Sequence, residues 1–310
     1  MNSSDHRPKI IIRLGILFIA VMFAIACQHE ESVPESYGMR MSCNESFIFF
    51  TDPHLSGLSN EHIRAALEQL SSYYHEGDFD FCLCGGDWLN KDESYSEAYQ
   101  TLDYVTGTAD ELFSGCYYTM VGNHDSNYQG SSRLSQQVIN DLLFGEGKKA
   151  YYAFETEKTN WMVFDTGIDW ESDMTEYRWE QLEWFASELK ANMKQHIMVA
   201  LHIFCNSSTV QPFAENIMAL SETFNRRGTI VLNDESYDFS DVTGKIACFL
   251  CGHNHVDIVY DTYSIPVICT TNFMKDKVYT FDLCHLDWKS EKLIMKRIGF
   301  GEDRQVNLVI

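Results

Sequence analysis

Histidine, carboxylate and amide side chains follow several apolar runs of this chain at short, regular distances. His253 and His255 come directly after an apolar run that ends at Leu250 and Cys251. In an extended segment, residues i and i+2 point to the same side, so the two imidazoles can face one ligand site together. Imidazole nitrogen is a common ligand of divalent metals. The same pair is also typical of one packed core histidine beside one loop histidine, so a metal site requires further ligands nearby.

Such side chains occur at the ends of four earlier apolar runs. Asp52 and His54 follow residues 47–50, Asp87 follows residues 79–84, Asn123, His124 and Asp125 follow residues 116–121, and His202 follows residues 196–201. Each one alone has an ordinary explanation as a turn or a helix cap. Together they predict a shared site, because the carboxyl ends of strands in open α/β sheets are the usual place for ligands. Oxygen and nitrogen ligands without thiolates suit divalent metals such as manganese, iron or zinc.

The elements that must position these residues alternate between strand and helix. The four runs and residues 161–165 have the length and apolar content of buried strands, and helices with three- and four-residue apolar spacing are predicted at 60–75, 94–113, 131–144 and 175–193. This alternation predicts an α/β domain with largely parallel strands. From Ile246 onward, short apolar runs separated by turn residues predict a second, more antiparallel sheet.

Composition restricts the possible partners. The chain has 310 residues, of which 45% are hydrophobic, and a formal net charge of −22. That charge argues against a nucleic-acid polymer as partner, because phosphate backbones require a basic surface. A small anionic substrate would need local cations, and bound metal ions are able to supply them.

The first 26 residues are predicted to be a signal peptide. A basic start is followed by an apolar stretch from Leu14 to Ala26, which is shorter than the roughly 20 residues that span a bilayer. Ala24-Ile25-Ala26-Cys27 resembles the lipobox of bacterial lipoproteins. This resemblance implies export, a lipid on Cys27 and attachment to the cell envelope, at the periplasmic or surface face of the outer membrane. Residues 27–44 are then a polar tether, and residues 45–310 form the folded domain.

The ten cysteines do not have the distribution of a disulfide framework. Cys82, Cys84, Cys248, Cys251 and Cys269 lie in apolar runs, where cysteine behaves as a small buried hydrophobe. Cys248 and Cys251 form a C-x-x-C pattern, but positions i and i+3 of a strand face opposite sides. A redox role, or a structural zinc site made of these cysteines with His253 and His255, is therefore disfavoured.

The order of the polar blocks resembles that of the calcineurin-like metallophosphoesterases. Their pattern is D-x-H, G-D, G-N-H-D or G-N-H-E, a histidine after a further strand, and G-H-x-H, and every block is present here between about Phe47 and Val259. The segment Gln181 to Phe185 is similar to a Q-L-x-W-L helix of bacterial members. Ile203-Phe204 departs from the family, in which many members have a second histidine and a proline after the position of His202.

The resemblance implies a fold, a metal centre and a reaction. The fold is a four-layer α/β/β/α sandwich of two mixed sheets flanked by helices. Asp52, His54 and His255 would hold one metal ion, Asn123, His202 and His253 a second, and Asp87 would bridge the two. A metal-activated water would attack a small phosphomonoester or phosphodiester, and His124, oriented by Asp125, would assist the leaving group. The alternative is a non-catalytic, metal-binding lipoprotein scaffold with the same fold.

The mouth of the site is expected to contain several aromatic and amide side chains. These candidates are Trp88, Asn90, Tyr128, Phe204 and Asn206. Their identities do not distinguish a phosphomonoester from a diester or a nucleotide.

Overall fold

The computed structural model describes residues 45–76, 79–90, 92–130, 133–168, 174–206, 209–275 and 277–310. The predicted signal peptide, Cys27 and the polar tether lie outside these residues. Among the helices in the described ranges, none is long and apolar enough to cross a membrane.

The described chain contains five α-helices and eighteen strands. The helices are α1 Asn60–Glu76, α2 Tyr95–Phe113, α3 Gln136–Phe144, α4 Glu176–Ala191 and α5 Pro212–Asn225. The strands are β1 Glu45–Phe50, β2 Phe81–Cys84, β3 Tyr117–Thr119, β4 Tyr152–Glu155, β5 Thr159–Phe164, β6 His196–Leu201, β7 Cys205–Asn206, β8 Thr209–Val210, β9 Thr229–Leu232, β10 Glu235–Asp238, β11 Lys245–Cys251, β12 Ile258–Tyr260, β13 Val267–Cys269, β14 Met274–Lys275, β15 Val278–Tyr279, β16 Phe281–Asp287, β17 Lys292–Ile298 and β18 Arg304–Asn307.

Two six-stranded mixed sheets carry the fold. The first has the order β18-β17-β16-β1-β2-β3, with β1, β2 and β3 parallel and the other pairs antiparallel. The second has the order β12-β13-β11-β6-β5-β4, with antiparallel pairs only at its two edges. The predicted fold of two mixed sheets flanked by helices is confirmed.

Alternation along the central strands explains the layers. In β1, Phe47 and Phe49 pack into the core between the two sheets, whereas Ile48 and Phe50 pack on the side of α1 and α2. The central strands of the second sheet alternate in the same way. Met198 of β6 faces the core between the sheets, whereas its neighbours in the strand pack against α4 and α5. Both faces of each central strand are therefore apolar, as in sheets that are covered on both sides.

The chain after Ile246 does not form a sheet of its own, contrary to the sequence prediction. Strands β11 to β13 complete the second sheet, and β16 to β18 extend the first sheet beside β1. Local patterns identify strands but not their partners, which are set by contacts far apart in sequence. Helix α5 was also not predicted. It begins with Pro212 in its first turn, where the missing N–H of proline breaks no helical hydrogen bond.

One pair of cysteines departs from the expectation that these residues are simply small buried hydrophobes. Cys251 and Cys269 form a disulfide between β11 and β13, with Cα atoms 4.7 Å apart. They are aligned in the register of two neighbouring parallel strands, which brings their side chains to the same point. The predicted opposite orientation of Cys248 and Cys251 is confirmed, because Cys248 packs between the sheets and Cys251 on the helix side. Cys248 and Cys251 therefore do not face a common point at which they could share a zinc ion.

Candidate metal centre

All seven side chains that the sequence suggested as metal ligands meet at the carboxyl ends of the central strands. They form two adjoining groups. The first position consists of Asp52, His54 and His255, and the second position consists of Asn123, His202 and His253, with Asp87 between them. We use these two names for the groups below.

The first position brings one carboxylate and two imidazoles together. Nε2 of His255 lies 3.1 Å from Oδ1 of Asp52 and 3.2 Å from Nε2 of His54. The three side chains can each point one ligand atom to a common centre. Asp52 is fully buried, and its other oxygen, Oδ2, accepts hydrogen bonds from the Thr51 hydroxyl and from the backbone N–H of His253. These two bonds fix the carboxylate so that Oδ1 faces the histidines.

The second position is built around the amide oxygen of Asn123. This oxygen lies 2.9 Å from Nδ1 of His253 and 3.2 Å from Nε2 of His202. Asn123 and His202 are buried. An amide oxygen beside two imidazole nitrogens is a ligand set that suits the same divalent metals as the first position.

Asp87 belongs to both groups. Its Oδ2 lies 3.2 Å from Nε2 of His202 at the second position. It also forms a potential ligand group with His54 and His124 on the side of the first position. A carboxylate that is shared in this way has the placement required of a ligand that bridges two ions.

Backbone carbonyls orient two of the imidazole rings. Nδ1 of His54 donates to the carbonyl oxygen of Leu89 at 2.8 Å, and Nδ1 of His202 donates to that of Gly85 at 2.6 Å. Each bond turns Nε2 towards the ligand group, where it is the ligand atom once the ring is neutral. Histidines that bind metals are usually held by such a bond from their other ring nitrogen.

Five of the seven residues have an unusual backbone conformation. The φ angles are 51° for Asp52, 47° for His54, 60° for Asp87, 71° for His253 and 53° for His255. Left-handed φ values are uncommon for residues with a β-carbon, cost on the order of 1–3 kcal/mol, and cluster at functional sites. The surrounding contacts must therefore hold these loops in place.

Two glycines allow the loops to approach each other. A β-carbon at Gly252 would lie 2.0 Å from the Thr51 hydroxyl and 2.7 Å from Oδ2 of Asp52. At Gly122 it would lie 2.1 Å from Oδ1 of Asp87. Only glycine fits at either place without displacing a carboxylate of the centre.

Asp125 has a different role from the one expected. Its carboxylate does not orient His124. It accepts four backbone N–H groups instead, from Asp87, Trp88, Leu89 and Gly122, at 2.7–3.2 Å. The carboxylate thus ties the loop after β2 to the loop after β3 and holds Asp87 between the two positions.

His124 lies beside both Asp87 and the first position. Its Nε2 is 3.9 Å from Oδ2 of Asp87, and its ring centre is 4.7 Å from that of His54. The backbone N–H of His124 donates to Oδ1 of Asp87 at 2.8 Å. Its Nδ1 is buried and has no hydrogen-bond partner in the described part of the chain. The ring therefore lies next to the centre, with Nε2 on the side of Asp87.

The charges at the centre shift the pKa values in opposite directions. Burial alone would lower the pKa of His202, but the Asp87 carboxylate raises it to about 10. Burial lowers the pKa of His124 to about 4 and that of His253 to about 4. Burial and the charge of Asp87 raise the pKa of Asp125 to about 7. Without metals, His202 and Asp87 therefore form a buried ion pair beside neutral histidines.

This ion pair predicts a pH dependence of metal binding. Below its pKa of about 10, His202 is protonated in the metal-free protein, whereas a histidine ligand must be neutral. We expect at least one proton to be released at pH 7, and the affinity to rise about tenfold per pH unit for each released proton. Zinc titrations by calorimetry, in buffers with different ionisation enthalpies, measure this number. Release of no proton at pH 7 would contradict the ion pair.

Two of the side chains expected at the mouth are buried elsewhere. Trp88 packs against Phe50 and donates from its indole N–H to Thr119, and Phe204 packs against Phe249 in the core on the helix side. Neither can contact a substrate. Of the others, Tyr128 remains a candidate, since its ring meets that of His124 edge to face at 5.7 Å.

The structure also explains the glutamine of the Q-L-x-W-F segment. The buried Gln181 side chain accepts the backbone N–H of Asp165 and donates to its carbonyl oxygen, both at 3.0 Å. The next residue, Thr166, accepts the backbone N–H of Ile203 at 2.8 Å. These bonds connect helix α4 to the segment that follows His202. Asp165 and Thr166 were not among the site residues that the sequence suggested.

Several observations show that the residues suit metal ions. The ligand atoms are carboxylate or amide oxygens and imidazole nitrogens. In each group of carboxylates and histidines, these atoms lie within 4.8 Å of one another, and the amide oxygen of Asn123 lies beside two of the imidazoles. Two of the rings are held through Nδ1 by backbone carbonyls, so that Nε2 is directed to the place of a metal. The donor set is compatible with iron, manganese or zinc.

Comparisons with known proteins agree with this description. A sequence profile described as calcineurin-like phosphoesterase matches residues 46–257. A search of curated protein sequences gave no match.

Solved structures with a similar fold include two phosphatases and an anchor protein. A dimetal phosphatase from Danio rerio has a TM-score of 0.59 and 13% identity, covering 86% of this chain and 99% of that one. Purple acid phosphatase PPD1 from yellow lupin has a TM-score of 0.55 and 12% identity, covering 86% of this chain and 54% of that one. GAP50, the anchor in the inner membrane complex of Plasmodium, has a TM-score of 0.51 and 14% identity, covering 86% and 90%. At these identities the likeness concerns the fold.

Proposed function

Because the chain belongs to the calcineurin-like phosphoesterase family, we propose that it hydrolyses a phosphomonoester or phosphodiester at a centre of two metal ions. The main support is the position of Asp87, which is shared between two complete groups of ligands. A site for a single ion would leave one of these groups, with its buried polar atoms, without a purpose. When bound, two divalent ions polarise a phosphoester and lower the pKa of a shared water.

The side chains around the centre would orient the bridging ligand Asp87 and supply a proton donor. Asp125 and the backbone N–H of His124 hold Asp87 from two directions. Nε2 of His124 lies 3.9 Å from Oδ2 of Asp87 at the edge of the centre, so it is placed to meet an oxygen of a substrate bound there. We assign His124 to the leaving oxygen, to which it would donate a hydrogen bond or a proton.

A non-catalytic scaffold is the alternative. The fold alone does not exclude it, since a protein described as an anchor has a similar fold. The adjacent His124 favours catalysis, because a metal-binding scaffold needs the seven ligands but has no need of an imidazole beside them.

Turnover and metal content, measured on the same preparation, separate these two functions. The purified domain is loaded with iron, manganese or zinc and tested on a panel of phosphomonoesters and phosphodiesters. We expect two ions per chain and hydrolysis of at least one ester class. A protein that binds two ions but hydrolyses no ester in the panel would support the scaffold.

We further propose that the mature chain begins at Cys27 and is anchored through a lipid on its sulfur. The support is the lipobox-like Ala24-Ile25-Ala26-Cys27 after the apolar stretch. In a bacterial host, Cys27→Ala should move the protein from the membrane fraction to the soluble fraction or leave it uncleaved. Cys43→Ala, which removes another cysteine of the same N-terminal segment, is the matched control and should stay in the membrane fraction. A cleaved Cys27→Ala product that remains in the membrane fraction would reject the anchor.

A further inference from the structure

The loop that carries His253 and His255 is strained and needs external support. It connects β11 to β12, and both histidines have left-handed φ angles of 71° and 53°. Residues with a β-carbon keep such angles only where the surrounding structure holds them. The backbone N–H of His253 is held by Asp52, which fixes the first half of the loop. The second half, from His255 to Asp257, requires a separate set of contacts.

Asp257 and two threonines supply these contacts. Oδ1 of Asp257 accepts the backbone N–H of Thr271 at 3.1 Å and lies 3.2 Å from the Thr270 hydroxyl. The Thr271 hydroxyl donates to the carbonyl oxygen of His255 at 3.0 Å. The end of the loop is therefore hydrogen-bonded to the segment that follows β13, on both sides of Val256.

Two arginines from the last strands hold Asp257 in turn. Arg297 donates from Nη2 to Oδ1 of Asp257 at 2.5 Å and from Nε to Oδ1 of Asp282 at 2.9 Å. Arg304 donates to Oδ2 of Asp282 at 2.7 Å and lies 3.4 Å from Oδ1 of Asp257. We call these four residues the arginine brace. Two positive charges balance two negative ones, which is the condition for keeping such groups buried.

The arginine brace is partly buried: Arg297 and Asp282 are nearly inaccessible to water, whereas the side chains of Arg304 and Asp257 are 13% and 24% exposed. The side chains of Arg297 and Asp282 are 2% and 0% exposed, against 36% and 60% for the surface pair Arg64 and Glu111. Planar guanidinium groups with several fixed N–H donors suit the positioning of carboxylates. The buried Arg297, fixed by Asp282, thus offers Asp257 an ordered partner, whereas a fully exposed ion pair contributes little.

The arginine brace links the metal centre to strands beyond the family match. Arg297 and Arg304 lie on β17 and β18 in the first sheet, whereas the loop follows β11 in the second. Asp257 is the last residue that the family profile covers. We propose that Asp257, Arg297 and Arg304 are positioning residues that hold His255 against Asp52 and His54, so that the first metal position depends on the C-terminal strands. This inference rests on the proposed metal centre.

The test measures each metal position by itself. In an Asn123→Ala background, zinc binding reports mainly the first position, and in a His255→Ala background it reports mainly the second. Asp257→Asn should weaken zinc binding by about 10 to 100-fold in the first background, the usual effect of losing a residue that orients a metal ligand. In the second background it should leave zinc affinity unchanged. Calorimetry and metal competition supply the affinities.

Matched variants separate positioning from general stability. Asp303→Asn makes the same chemical change on the β17–β18 hairpin that carries Arg297 and Arg304. Asp303 accepts the backbone N–H of Arg297, and no bond from it to the loop is found in the described residues. Asp303→Asn should leave both positions intact. If Asp257→Asn does not fold, Thr271→Val removes only the hydroxyl that holds the His255 carbonyl, and it should also weaken the first position selectively.

Three outcomes decide the matter. Selective weakening of the first position, with both positions intact in Asp303→Asn, supports the inference. Equal weakening of both positions, or unchanged affinity at both, overturns it while the proposed metal centre stands. Wild-type protein that binds no zinc at all rejects the metal centre itself, and the positioning role with it.

Discussion

Replacing Asp87 with alanine is expected to remove both metal ions and nearly all hydrolysis. Asp87 is 1% exposed and is the one carboxylate among the proposed ligands that faces both positions. Removal of the Asp87 carboxylate also leaves Nε2 of His202 without its partner at the centre. Because bound metals supply several kcal/mol of transition-state stabilisation, activity should fall by about 10³-fold or more.

The contrast with His255→Ala makes this prediction specific. His255 belongs only to the first position, so its loss should weaken one ion and leave the second bound. Asp165→Ala is a control for the removal of a buried carboxylate near the centre, since Asp165 bonds to Tyr177 and to backbone N–H groups and is not a proposed ligand. Elemental analysis of saturated protein gives the ion count. A single ion per chain in the saturated wild-type protein would contradict the two-metal proposal.

The sequence located the centre because its ligands follow a simple rule of sheet architecture. Asp52, Asp87, Asn123 and His202 each come directly after a buried run, and strand ends that lie side by side bring such residues together. The layers were also predictable in outline. A central strand with both faces apolar, such as β1, must be covered on both sides, which requires a second sheet and a layer of helices.

The features that could not be predicted from the sequence depend on contacts between distant segments of the chain. The disulfide between Cys251 and Cys269 requires the register of β11 against β13. The burial of Trp88 and Phe204 likewise depends on neighbours from other strands. The role of Asp125 is a further example. Because Asp125 follows His124 directly in the sequence, the two residues were interpreted as a catalytic pair. The Asp125 carboxylate turns instead to four backbone N–H groups, three of which lie more than thirty residues earlier in the chain.

The arginine brace illustrates this limit most clearly. Asp257 stands two residues after His255 with no recognisable pattern around it, and its partners Arg297 and Arg304 are at least 40 residues away in sequence. A charged residue in a predicted strand is usually interpreted as a side chain that faces solvent at the edge of a sheet. Only the packing of one sheet on the other places these arginines beside the metal-binding loop, so a motif that identifies ligands does not identify what holds them.

His124→Ala should reduce the rate on an alkyl phosphoester by about 10² to 10⁴-fold, the range typical of a general acid, with metal content near that of wild type. The loss should be smaller on a nitrophenyl ester, because an activated leaving group departs without a proton. His62→Ala, which removes an exposed histidine of α1, is the control and should change neither rate.

The pKa of His124 makes the pH profile informative as well. Burial lowers that pKa to about 4, so in the metal-free protein the ring is neutral at pH 7 and carries a single N–H. If the protonated ring is the acid, the rate on the alkyl ester should fall as pH rises through the pKa that His124 has in the loaded enzyme, and this limb should disappear in His124→Ala. A neutral ring that only donates a hydrogen bond produces no such limb. An equal loss on both esters, with metals intact and the pH profile unchanged, would mean that His124 stabilises the phosphoryl oxygens electrostatically and does not protonate the leaving group.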